Sequence, residues 1–160
     1  MKKFFIFLIG LFLGILIFMP KDNMYYTAQK FLSKENIYIN SGIKNGIFLD
    51  LYNGKIYKNG IDFAEFKEIK IIPYFLFNQI SAKNISINFQ NLKINHLKIT
   101  YSIINPIKIY IGAKANFGII KGEINLFKRF VKIYIINLSN NDIKNFLQKD
   151  KKGYFYYAKF

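Results

Sequence analysis

The chain has 160 residues, no cysteine, no tryptophan and a formal net charge of +15, from 24 Lys and Arg against 9 Asp and Glu. Without thiols there is no disulfide framework, no thiol catalysis and no thiolate metal site. A basic balance suits anionic lipid or nucleic acid, but Arg129 is the single arginine and Lys, Asn, Ile, Phe and Tyr dominate, which is how an AT-rich coding bias looks. The lysines also alternate with apolar residues, as on a solvated sheet face. An apolar N-terminal segment of the export type further disfavours nucleic acid and leaves attraction to an anionic membrane surface.

That segment runs from Phe4 to Met19, FFIFLIGLFLGILIFM, between Lys2-Lys3 and Pro20-Lys21. As a helix it reaches about 24 Å at roughly 1.5 Å per residue. A bilayer core is about 30 Å thick, so the run is short for a span but usable when flanking lysines snorkel and the bilayer thins. Residues 1–21 are therefore expected to be a signal anchor or transmembrane helix, with Phe4, Leu8, Gly10, Leu11, Gly14, Ile15 and Phe18 as its membrane-facing residues. A cleaved signal peptide is the competing reading, but no A-x-A-like triplet follows Met19. Either way Lys2 and Lys3 stay in the cytoplasm. The expected location is thus the inner membrane, single-pass, with the C-terminal domain in the periplasm. Gly10 and Gly14 form a G-x-x-x-G pair that permits a homodimer through the anchor.

Residues 22–36 carry Met24, Tyr25, Ala28, Phe31 and Leu32 at helical spacing, with Asp22 or Asn23 as cap, and predict a short amphipathic helix. From Ile37 the period changes to two, and residues 37–160 read as one β-rich domain. Ile37 to Ile39 is a short strand closed by Ser41-Gly42. Asn45-Gly46, Asn53-Gly54 and Asn59-Gly60 are three tight-turn signals. They predict a meander of 47–52, 55–57 and 61–71. Pro73 breaks the pattern, and the apolar stretch Ile71 to Phe77 is read as a tucked loop or helical turn, or as an exposed tip that touches a membrane. Beyond it Ile85, Ile87 and Phe89 share a face, then Leu92 and Ile94, then Leu97, Ile99 and Tyr101, with Asn91 and Asn95-His96 as turns. Ile107, Ile109, Ile111, Ala113, Ala115, Phe117 and Ile119 predict one long strand with a continuous apolar face. Strands at 123–127 and 130–136 follow. Ser139 and Asp142 then predict a capped helix ending near Asp150, and Tyr154 to Phe160 a last aromatic strand.

No catalytic constellation is visible. His96 is the single histidine and sits in a turn-like step. Asp50, Asp62, Glu65, Glu68 and Glu123 have neither metal-ligand nor acid/base spacing. No Gly-rich phosphate loop occurs. The expectation is a protein without enzymatic activity, cofactor or metal.

The order of parts carries a likeness in Gly46-Ile-Phe-Leu-Asp-Leu-Tyr-Asn-Gly-Lys-Ile-Tyr57, in Ile69-Lys-Ile-Ile-Pro73 before an apolar stretch, in Ile85-Ser-Ile87, and in Phe117-Gly-Ile-Ile-Lys-Gly-Glu-Ile-Asn-Leu126. It resembles the type II secretion system protein N family and the related AsmA-like envelope proteins. The resemblance implies an inner-membrane-anchored periplasmic protein with a curved sheet and an apolar concave face, working in envelope assembly, secretion or lipid traffic. Its partners would be membrane lipid and envelope or secretion-system membrane proteins.

The residues by themselves lead to a compatible expectation. The fold class is mainly β: a curved antiparallel sheet, as groove or sandwich, with one or two short helices. Long strands with one Ile/Phe face need a second layer or an apolar ligand to cover it. An acyl-chain groove or an edge that accepts a partner strand would meet the shortfall. Ile107, Ile109, Ile111, Phe117 and Ile119 are the candidate lipid-binding residues, and a sandwich core is the other reading of the same five. The alternatives are a ligand-free structural subunit of a type II secretion-like assembly and a small eight-stranded outer-membrane β-barrel. The aromatic run Tyr154 to Phe160 suits the barrel.

Overall fold

Strand-forming Ile, Phe and Tyr alternate with Lys over most of the chain beyond residue 36, and asparagine supplies the left-handed backbone at which direction or face changes. The computed structural model describes residues 2–18, 21–46, 48–73, 77–88, 91–151 and 153–160; at positions 15–18, 21, 24, 45, 141 and 142 the backbone alone is described. Two helices, α1 (Lys2–Phe18) and α2 (Lys21–Ser33), lead into β1 (Ile37–Asn45), β2 (Leu49–Lys58), β3 (Ile61–Pro73), β4 (Phe77–Ile87) and β5 (Leu92–Ser102). Then come β6 (Asn105–Ala115), β7 (Gly118–Asn125), β8 (Phe130–Ile136), a single helical turn α3 (Asn141–Lys144), β9 (Gln148–Asp150) and β10 (Gly153–Lys159).

All ten strands make one open antiparallel sheet in the order β1-β2-β3-β4-β5-β6-β7-β8-β10-β9. The mainly β expectation holds, but there is no second sheet among the described residues, so the sandwich is replaced by a single layer. Ten strands stand where the barrel reading counts eight. The edges are β1 and β9, and they are not paired with each other.

Asn59 and Gly60, with φ of 51° and 78°, form a two-residue hairpin turn closed by Lys58 opposite Ile61, as their sequence predicts. Asn53-Gly54 and Asn95-His96 are not turns. Both lie inside strands, β2 and β5. They belong to a crease that crosses four strands. On each strand the inward-facing series takes one three-residue step: Leu51 to Gly54, Phe66 to Ile69, Ala82 to Ile85, and Ile94 to Leu97. The register of β2 with β3 and of β4 with β5 is unbroken through the step. Asn53 and Asn84 take φ of 47° and 52° there. A period-two strand that skips one position would turn its next residues to solvent. Because neighbouring strands skip together, Leu49, Leu51, Ile69 and Ile71 above the crease and Ile56, Phe66 and Ile85 below it pack in one cluster.

Other boundaries move for equally local reasons. β1 continues through Ser41-Gly42 with an irregularity between Asn40 and Gly42, because its partner β2 continues too. The long strand from Ile107 to Ile119 is instead a hairpin. Asn116 and Phe117 form its turn, and the Asn116 amide donates to Lys93 O on β5. The predicted helix from 142 to 150 stops after α3. Phe146 and Leu147 amides bond three residues back, to Ile143 O and Lys144 O, and Gln148–Asp150 pairs with β10. The side chain of Asp142, which the expected cap needs, is not described; of the apolar stretch from Ile71 to Phe77, Ile71 to Pro73 close β3 and Phe77 opens β4, while Tyr74 to Leu76, like Phe89, lie outside the described residues.

α2 forms where expected. Asp22 in its first turn and Lys30 in its last complement the helix dipole, and Asn36 at φ 55° ends it. Tyr25 buries against Leu49 and Leu51. The α2 side chains also stopper the edge of β1. Gln29 Oε1 accepts from the Ile39 amide at 3.1 Å, Gln29 Nε2 donates to Ile39 O, and the Tyr25 hydroxyl donates to the same carbonyl at 2.8 Å.

α1 differs from the expected anchor. Among the described residues no helix is long and apolar enough to cross a membrane. α1 has 17 residues, which span about 25 Å. Met19, the last residue of the expected span, lies outside the described residues. Of the membrane-facing set, Phe4, Leu8 and Leu11 are exposed, and Gly10 and Gly14 have no neighbour within 4 Å of an added Cβ. Ile15 and Phe18 are described by backbone only.

The antiparallel order gives the sheet two unlike ends. One gathers the turns at 59–60 and 116–117, Asn88 and Asn91 between β4 and β5, and Asn137 after β8; asparagine recurs in all of them. The other gathers the facing ends of β1 and β2 and of β3 and β4, the turns at 103–104 and 126–129, and the Phe160 end of β10.

Candidate functional site

The two faces of the sheet carry different chemistry. On one, cross-strand partners form apolar rows: Ile80, Ile99, Ile111 and Ile133, with Gly122 between the last two, and alongside it Tyr101, Ile109, Ile124 and Val131. These residues are half-buried or exposed, and neither α1 nor α3 packs extensively on them. Toward β1–β3 the same face is closed by α2.

Ile109 and Ile111 are therefore together on this face, and Ile107 follows them toward the end of β6, 46% exposed. Ile119 is not with them. It sits across from Lys114, whereas Ile120 stands opposite Ala113. The hairpin at Asn116-Phe117 reverses the chain, so the alternation restarts one residue later and Ile119 joins the lysine face. Phe117 is buried in that turn, a packing residue with its carbonyl accepting from the Ser139 amide at 3.1 Å. Ile120 and Ile124 take the places that the uninterrupted-strand expectation gives to Phe117 and Ile119. Gly118, at φ 147°, is the sequence signal for that turn.

The opposite face is basic. Its acids are engaged: Lys55 holds Asp62 and Glu65 at 3.0 and 2.6 Å, Lys83 holds Glu68 at 2.8 Å, and Lys108 holds Glu123 at 2.9 Å. Hydrogen bonding to Glu65 and Asp62 raises the Lys55 ammonium, and the Lys83 hydrogen bond holds the Glu68 carboxyl below its ordinary value. Lys132 lies 4.9 Å above the Tyr134 ring and 4.6 Å above Phe155, and its hydrogen bond to Tyr134 raises it. A shallow hollow of about 470 Å³ on β4–β7 is lined by the cross-strand row Ala82, Leu97, Ala113 and Ile120 and by the residues flanking each of them, Lys83, His96, Lys98, Lys114 and Lys121 included. His96 is exposed there, inside β5 rather than in a turn. Among the described residues no three His, Asp or Glu side chains gather to hold a metal ion.

No family model, curated protein or solved structure matches the chain.

Proposed function

We propose that the chain is an inner-membrane-anchored periplasmic protein of envelope biogenesis or secretion that receives lipid, or a partner strand, on the apolar face of β4–β10. The observation that carries this reading is the uncovered face itself. Ile109 and Ile111 stand among apolar cross-strand partners with no second layer above them among the described residues. An apolar face of this kind gains free energy when a ligand or partner removes it from water. α1 supports the membrane part: a helix apolar on all sides belongs in a hydrophobic surrounding. Its length falls only slightly short of a bilayer core, a mismatch that costs fractions of a kcal/mol per Å. The resemblance to type II secretion protein N and AsmA-like proteins points the same way, and leaves a ligand-free subunit of such an assembly as the second reading.

Native mass spectrometry of the full chain released from a neutral detergent tests the lipid. Phospholipid adducts are expected on the wild type, reduced on Ile111→Asp and unchanged on Lys114→Asp, which alters the opposite face. A folded chain that carries no lipid in any variant would sink lipid binding and favour the partner-strand subunit.

A further inference from the structure

The two ends of the sheet differ in one more way. At the asparagine end the described turn residues are asparagine, glycine and the buried Phe117, and the exposed apolar side chains beside them, Ile61, Ile119 and Ile136, lie on strands. At the other end the turn tips themselves are apolar: Ile104 is 84% exposed and Phe127 82% exposed, flanked by Ile103, Leu126 and Phe77, and Phe160 beside them is 63% exposed. Turn tips are ordinarily Gly, Asn, Asp and Ser. Here large hydrophobes occupy positions that gain nothing from folding.

These tips are built rather than loose. The Ile104 amide donates to Ser102 Oγ at 3.2 Å. Buried Asn125 accepts the Lys128 amide on Oδ1 at 2.8 Å, the Leu126 amide donates to Ile107 O at 2.8 Å, and the Phe160 amide donates to Arg129 O at 3.0 Å. Hydrogen bonds at the base of each turn present the side chains outward in a row along one rim. Lys128 and Arg129 are exposed on the same rim, the charge that an anionic headgroup layer attracts.

The path of α2 places α1 on this side. Its C-terminal end is tied to the asparagine end, where Asn36 O accepts the Asn59 amide at 2.9 Å. Tyr25, two turns earlier, packs on Leu49, the first residue of β2. The chain thus enters α2 from α1 on the side of the apolar rim and runs away from it toward the asparagine end.

We infer that this rim is a second membrane contact: Ile103-Ile104, Leu126-Phe127, Phe77 and Phe160 dip into the interfacial layer of the bilayer that takes up α1. The partner is the lipid surface, with anionic headgroups facing Lys128 and Arg129. The inference rests on the anchoring role proposed for α1 and adds an orientation. The sheet stands on its rim with the asparagine end farthest from the membrane, and the apolar face of β4–β10 opens at lipid level.

The absence of tryptophan makes the test direct. Single variants Ile104→Trp, Phe127→Trp, Ile61→Trp and Phe7→Trp of the full chain, each at an exposed position, are reconstituted in phosphatidylcholine vesicles containing a minority of phosphatidylglycerol, with and without acyl-chain bromination. Bromolipid should quench Trp at 104 and 127 about two-fold or more, as for an interfacially seated ring, quench Trp at 7 as strongly, and leave Trp at 61 unaltered. Quenching at 7 without quenching at 104 and 127 would overturn the rim contact and leave the anchor standing. Quenching at 104 and 127 without quenching at 7 would keep the rim and remove the anchor. Quenching at 61 equal to that at 127 would overturn the orientation, and no quenching anywhere would overturn both.

Discussion

The β1–β3 part of the sheet and the β6–β10 part are built from similar strands but finished differently. The first is roofed by α2 and contains the cluster of Tyr25, Leu49, Leu51 and Phe66, each 8% exposed or less. The second has the same cross-strand rows of isoleucine and, among the described residues, no roof. Covering a sheet face and making it apolar are thus separate decisions in this chain. A face kept apolar without cover is a place where something else is expected to sit.

Truncation should separate the two parts most clearly. Phe66→Ala in the roofed part is expected to cost about 3–5 kcal/mol, transfer and cavity terms together. Ile111→Ala in the open part should cost about 1 kcal/mol or less, because less of the side chain leaves water on folding. Urea unfolding followed by circular dichroism measures both, and equal losses would erase the distinction. Insertion gives the next effect. A Cβ at Gly54 would lie 2.2 Å from the Phe66 ring, whereas at Gly112 it meets nothing within 4 Å. Gly54→Ala should therefore lose about 1–3 kcal/mol from overpacking, and Gly112→Ala should be neutral or slightly stabilising, since glycine weakens a strand.

Smaller again is the stopper on β1. Gln29→Ala leaves the Ile39 amide without its acceptor and should cost about 1 kcal/mol. The least effect concerns pH. The Glu68 carboxyl is held below its ordinary value of 4.5 by Lys83. That contribution is present above the unfolded value and is lost as pH falls through the folded one. The drop in urea midpoint between about pH 6 and about pH 3 should accordingly shrink slightly in Lys83→Met, by the linkage between proton binding and folding. An unchanged drop would show the pair to be decorative, as exposed pairs often are.

Much of this fold is legible in the residues, because period-two alternation survives within each strand. The amphipathic helix at 22–36, the Asn59-Gly60 hairpin, β8 at Phe130–Ile136 and the aromatic last strand all follow from local pattern. The crease does not. Asn53-Gly54 and Asn95-His96 carry turn chemistry, and only the neighbouring strands decide that they mark a change of face instead of a reversal. The candidate site fails at one point for the same reason. Ile107, Ile109 and Ile111 stay on a shared strand, while Phe117 and Ile119 are separated from them by a two-residue turn that keeps the alternation in phase by eye. The apolar rim is visible in sequence only as Ile103-Ile104 and Leu126-Phe127, and becomes a rim once antiparallel order brings those pairs to one end.

The Gln29 amide on Ile39 has a further consequence. An open sheet with two available edges can add copies at both and grow without limit. With the middle of the β1 edge already satisfied by a side chain, strand addition is directed to the β9–β10 side. The stopper thus makes the two margins unequal: a strand arriving at β1 must first displace the Gln29 and Tyr25 bonds to Ile39.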